Sequence, residues 1–171
     1  MKISRLLFSS LVAALILVLV PVASAQVSPV SMRVEQVTKT DNDKHKHVQK
    51  RSLKVHLTNA SQQAREGLTL RYYFFGKAVG DNDVILLEKG ERSATVASNK
   101  TEIVETPIVT KTYEDAHFEG GGKGKSGEKV KASGEKLVGY GVQLFEGEKM
   151  LTEQFSQASY KELLGPRKTK Q

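Results

Sequence analysis

The chain has 171 residues, with 26 Lys and Arg against 19 Asp and Glu, and neither cysteine nor tryptophan. The missing cysteines exclude a disulfide framework, a cysteine nucleophile and a thiolate metal site. A formal net charge of +7 is modest, enough to draw a polyanion to a local patch but no signature of specific nucleic-acid binding.

Lys2 and Arg5 precede a run from Leu6 to Val20 that is apolar except for Ser9 and Ser10, and Ala23-Ser24-Ala25 follows Pro21. A positive start, an apolar centre and an A-x-A site predict a secretory signal peptide over residues 1–25, cleaved before Gln26. The run falls short of the roughly 20 residues that span a bilayer, so no membrane span is expected after cleavage. The expected location is the bacterial periplasm or the outside of the cell. Residues 26–171 are enough for one domain, read as 26–165 with a basic disordered tail over 166–171.

Turn residues divide the mature chain into strands. Val30 to Thr40 is the first, closed by a turn at Asp41-Asn42-Asp43. Arg51 to Asn59 alternates, with Leu53, Val55 and Leu57 on one side and Lys54, His56 and Thr58 on the other, as a half-buried strand must. Leu68 to Phe75, closed by Gly76, is the most strand-like segment; Tyr72 and Phe74 share a face with Leu68 and Leu70. Val84 to Leu87 and Ser93 to Ala97 are read as a pair joined by a hairpin loop at Lys89-Gly90-Glu91. Thr101 to Tyr113 is mostly β-branched, and its Pro107 points to an edge strand or a bulge. Leu137 to Phe145 and Met150 to Phe155 form a hairpin through Glu146-Gly147-Glu148-Lys149. Between the last two groups runs a Gly/Lys-rich excursion, read as a flexible loop over 119–136. Ser159-Tyr160-Lys161-Glu162 has the form of a capping box for one short helix that ends at Gly165-Pro166.

Candidate sites are few. His45 and His47 would place both imidazoles on one face if they lay in a strand, a weak metal candidate because no third ligand is fixed by spacing. The same segment fails as a calcium loop, with Lys46 where a glycine and Ser52 where a glutamate belong. Gly120–Ser126 has glycines, a lysine and a serine, but Glu119 stands where a phosphate loop needs its first glycine. Lys123, Lys125, Lys129 and Lys131 are a candidate polyanion contact. Arg71, Tyr73 and Phe75 share the second face of their strand and form a candidate binding surface, unless the C-terminal helix or another strand covers them. His117 lies among Glu114, Asp115 and Glu119, an ordinary arrangement for a polar loop. Asn59-Ala60-Ser61 and Asn99-Lys100-Thr101 match the N-glycosylation triplet, which is frequent by chance. No G-x-S-x-G elbow or H-E-x-x-H motif is present, and no cofactor is expected.

Leu53–Ser61 followed by Gly67–Phe75 resembles the paired strands B and C of immunoglobulin-like or fibronectin type III-like domains of bacterial exported proteins. Val138–Phe145 with its hairpin partner resembles the terminal F–G pair. The resemblance implies an all-β, antiparallel immunoglobulin-like β-sandwich with one short C-terminal helix, and, since such domains mostly bind or space, a role that is not enzymatic. The expected function is an exported binding or interaction module whose partner is a protein or a surface polymer. The alternative is a structural or assembly subunit of a bacterial envelope complex.

Overall fold

The computed structural model describes residues 28–120 and 127–165; the expected signal peptide over residues 1–25, Lys123, Lys125 and the tail over 166–171 lie outside them. Among the described residues ten strands run β1 (Val30–Asp43), β2 (Lys46–Asn59), β3 (Arg65–Ala78), β4 (Ile85–Val96), β5 (Thr101–Glu105), β6 (Val109–Glu114), β7 (His117–Glu119), β8 (Glu128–Val130), β9 (Ser133–Glu146) and β10 (Lys149–Phe155). A 3-10 helix, Ala158–Leu164, follows. All pairings are antiparallel. The expected all-β sandwich is what the chain builds.

One layer has β2 at its centre, flanked by β1 and by β5 and β6 end to end. The other is ordered β4-β3-β9-β10. They face each other with β1 across from β10 and β5 across from β4. The layers join at one seam, where Tyr113 and Glu114 of β6 pair with Gly134 and Ser133 of β9. Gly134 has φ +92°, and a Cβ there would overlap the Thr112 carbonyl, so the seam requires glycine. Between the layers lie Val30, Val34, Leu53, Val55 and Leu57 from one side and Leu68, Leu70, Phe74, Val142 and Leu144 from the other, all buried. Beyond Leu53 the inner row of β2 becomes polar, through Arg51, Gln49 and His47. Gln49 stays buried because its Oε1 accepts the Leu137 N–H at 2.8 Å, which ties the two layers together.

Pro107 splits the β-branched segment in two. Across from it, the Leu53 N–H is taken by the Thr106 hydroxyl at 2.9 Å while the Thr106 N–H returns to the Leu53 carbonyl at 3.0 Å. The break therefore leaves neither ladder group orphaned.

Several boundaries differ from expectation. Asp41–Asp43 stay in β1, paired through Asp43↔Lys46, and the turn falls at Lys44-His45 with Lys44 at φ 45°. Lys89-Gly90-Glu91 is no hairpin loop: β4 runs straight through it, because Tyr72 on β3 lays its hydroxyl where a Cβ of Gly90 would stand. The segment read as a loop over 119–136 contains strand at both ends. Glu119 pairs with Glu128 in the β7–β8 ladder, and Ser133–Lys136 open β9, held to β6 and β3. The segments read as paired strands B and C fall in β2 and β3, which lie in opposite layers and do not pair. The capping box does not form either. The helix starts after Gln157 with no side-chain cap, and the Tyr160 N–H reaches the Gln157 carbonyl at 3.1 Å in the tighter i→i+3 pattern.

Candidate binding surface

Strand alternation sends Arg71, Tyr73 and Phe75 to the outer face of the β4-β3-β9-β10 layer, and register supplies their neighbours. Arg71 stands between Glu91 on β4 and Gln143 on β9, Tyr73 between Lys89 and Gly141, and Phe75 between Leu86 and Gly139. The two glycines on β9 make this strip flat. A Cβ at Gly141 would overlap the Phe155 ring, and one at Gly139 would overlap the Tyr160 ring and crowd the Ser156 hydroxyl.

Phe75 is not part of an open surface: of the two readings the sequence left for it, an exposed face or one covered by the C-terminal helix or a strand, the structure has the helix. It is fully buried, its ring centroid 4.9 Å from that of Tyr160. The 3-10 helix lies across it, and Tyr160 is the helix residue that is buried, while Leu163 is 38% exposed. Arg71 and Tyr73 do remain accessible. With Leu86, Lys89 and Glu91 of β4 and Leu163 and Leu164 of the helix, they line an open groove of about 490 Å³.

The polar groups of this face are held in place. Arg71 Nε donates to Glu91 Oε1 at 2.7 Å, and the guanidinium lies 4.5 Å from the centre of the Phe145 ring. Its remaining N–H groups have no hydrogen-bond partner among the described residues, and Lys89 has no ion pair among them. The Tyr73 hydroxyl donates to Gln143 Oε1 at 3.1 Å, Gln143 Nε2 donates to Glu153 Oε2 at 3.1 Å, and Lys161 closes the chain on Glu153 Oε1. Burial pushes the Tyr73 phenol above its ordinary pKa, with Glu91 adding to the shift and Arg71 opposing it, so the phenol stays a donor at neutral pH. Bonding to Lys161 holds Glu153 below the usual carboxylate range, against a smaller effect of burial.

His45 and His47 do not converge on a common site. His45 falls in the β1–β2 turn and stacks on His117, with ring centroids 4.0 Å apart and planes within 3°. His47, in β2, stacks on Tyr113 at 4.7 Å, its Nδ1 2.7 Å from Asn42 Oδ1 and its Nε2 2.9 Å from Asp115 Oδ2. Among the described residues, no group of three or more His, Asp or Glu side chains is placed to hold a metal ion. Of the candidate polyanion contacts, Lys129 is exposed in β8 and Lys131 exposed just after it. Sequence reading missed Leu86, Lys89, Glu91, Leu163 and Leu164, which reach the groove only through strand register and the fold-back of the helix.

No family model matches the chain, and no curated protein matches it. A solved structure to which it is similar is the X-ray structure of Northeast Structural Genomics Consortium target SoR45, at 12% identity and a TM-score of 0.34, covering 67% of this chain and 87% of that one.

Proposed function

We propose that the protein is an exported, non-catalytic binding module and that its ligand is an apolar anion held in the outer-face groove. The observation that carries this reading is the pairing of chemistries there. Two cations, Arg71 and Lys89, stand beside one carboxylate, Glu91, and the walls are Leu86, Leu163 and Leu164 with the Tyr73 ring. Partial neutralisation by Glu91 leaves one positive charge in surplus, enough to recognise a single carboxylate attached to an apolar body. A volume of about 490 Å³ falls within the roughly 300–1,000 Å³ of small-ligand sites. The order β4-β3-β9-β10 facing β1-β2-β5 supports an immunoglobulin-like reading of the sandwich, in which one layer carries strands of the C, F and G kind. The charged start, apolar centre and A-x-A site of residues 1–25 support export.

Octanoate is a suitable probe. Titrated into the protein and followed by amide chemical shifts, it is expected to move Arg71, Lys89 and Leu163 and to bind more tightly than octanol. Arg71→Met removes charged hydrogen bonds worth roughly 1.5–3 kcal/mol, so octanoate affinity should fall roughly tenfold or more. Shifts confined to another face, or equal affinity for acid and alcohol, would refute the assignment. For export, intact mass of protein recovered outside the cytoplasm is expected to show a chain that starts at Gln26. Recovery of the uncleaved chain from the membrane fraction would overturn it.

A further inference from the structure

An edge strand is where a sheet can gain another strand, and proteins blunt such edges with bulges or prolines. β4 and β10 each carry a register shift against their neighbour, and the edge formed by β5 and β6 is broken at Pro107. β1 has neither device. It runs in unbroken register with β2 from Val30 to Asp43, and no strand among the described residues pairs with its other side. Every residue from Glu35 to Asp43 is exposed.

The backbone groups on that free side follow from the ladder. The Ala60 N–H reaches the Pro29 carbonyl at 2.9 Å, so odd-numbered residues of β1 turn toward β2 and even-numbered ones turn away. Leu53 shows the same parity from the other strand. It stands opposite Gln36, yet its N–H goes to the Thr106 hydroxyl and its carbonyl takes the Thr106 N–H. Gln36, Thr38, Thr40 and Asn42 therefore present N–H and C=O groups beyond the edge.

We propose that the occupant of this edge is β1 of a second copy, antiparallel about a two-fold axis at Val37. In that register Gln36 pairs with Thr38 of the second copy and Val34 with Thr40, so outward groups meet outward groups and bond in pairs. The odd-numbered side chains on the outer face then stand opposite one another: Val37 meets Val37, Glu35 meets Lys39 and Arg33 meets Asp41. Every charge lands on its opposite. A slip of two residues, the smallest that keeps outward groups matched, sets Arg33 against Lys39 in one direction and Glu35 against Asp41 in the other. Like charges directly across a ladder are destabilising, so the same residues that deter other strands select this register.

Within one copy these charges are incompletely matched. Arg33 has no ion pair among the described residues, and Lys39, its side chain 73% exposed, reaches only Asp41 at 3.8 Å. Val37, 39% exposed in one copy, is covered at the axis. A two-fold axis uses the same edge of both copies, so the assembly closes as a dimer. β4, which lines the ligand groove, lies across from β5 at the far side of the sandwich, and the groove stays open.

Sedimentation equilibrium of the purified protein is expected to show monomer–dimer exchange that shifts toward dimer as concentration rises and weakens with salt. Thr38→Pro removes an N–H aimed at the second copy and none that β2 uses, so it should leave a monomer whose melting temperature stays within a few degrees. Glu35→Lys should weaken the dimer roughly tenfold or more, since it turns two symmetry-related attractions into repulsions, and adding Lys39→Glu should restore it. The chain has no cysteine, so a single introduced one reports the register. The Cα atoms of a non-hydrogen-bonded pair stand about 4.5 Å apart, within disulfide reach, so Val37→Cys should cross-link under mild oxidation while Ser31→Cys should not. A protein that stays monomeric at millimolar concentration would overturn the proposal. So would a dimer that survives Thr38→Pro, a charge swap that restores nothing, or equal cross-linking of Val37→Cys and Ser31→Cys.

Discussion

Asn59→Ala is expected to destabilise the protein by about 3 kcal/mol. Asn59 is fully buried at the end of β2. Its Nδ2 donates to the carbonyls of Gln63, Val96 and Ala97 at 2.8, 3.1 and 3.2 Å, and its Oδ1 accepts from the Ser61 N–H at 3.0 Å and the Ser61 hydroxyl at 2.7 Å. One side chain thus ties the exit of β2 to the entry of β3 and to the end of β4. Alanine would leave the Val96 carbonyl buried without this donor, and an unmet buried group costs roughly 1–3 kcal/mol on its own. Chemical denaturation would read the loss as a lower midpoint at unchanged slope. Asn99→Ala is the control: Asn99 is exposed, its side chain bonds only to Ser98 among the described residues, its backbone N–H bond to the Ser61 carbonyl survives the change, and it sits at φ 53°, so its replacement should cost about 1 kcal/mol or less. Equal losses in the two variants would show that the Asn59 network contributes little.

These two asparagines also mark how far the sequence could be read. Both sit in the same kind of triplet, Asn59-Ala60-Ser61 and Asn99-Lys100-Thr101, yet the first has its amide nitrogen committed to three carbonyls in the interior. Alternation could place Leu53, Val55, Leu57, Tyr72 and Phe74 inside, because period-2 burial is written in each strand by itself. It could equally turn Arg71 and Tyr73 outward. What it could not supply is what stands beside a strand. Gly90 reads as a loop residue until the Tyr72 hydroxyl is seen to occupy its missing side chain, and whether Phe75 is open or covered is undecided until Gly139, on a strand more than sixty positions away, makes room for Tyr160. The groove is of this second kind, since β4 and the helix meet over β3 only in the folded chain.

The covering of Phe75 leads to the second large effect. Tyr160 is 5% exposed and supplies the ring that buries Phe75, and truncation of a buried aromatic costs about 3–5 kcal/mol. Tyr160→Ala is expected to cost about 3 kcal/mol, the low end of that range, because the helix it anchors lies at the edge of the sandwich and can detach without opening the core. Gly139→Val should act from the opposite side, since its side chain would overlap the Tyr160 ring and push the helix off the sheet. Neither position lines the groove, yet each fixes the helix that carries Leu163 and Leu164. Both variants should therefore stay folded as β-sandwiches by circular dichroism and still lose octanoate affinity, whereas Tyr160→Phe, which keeps the ring, should retain both stability and binding. Thermal melts paired with octanoate titration separate the two consequences. A folded Tyr160→Ala variant that binds octanoate as tightly as the parent would mean that the helix is no wall of the ligand site, and would move the site off this face.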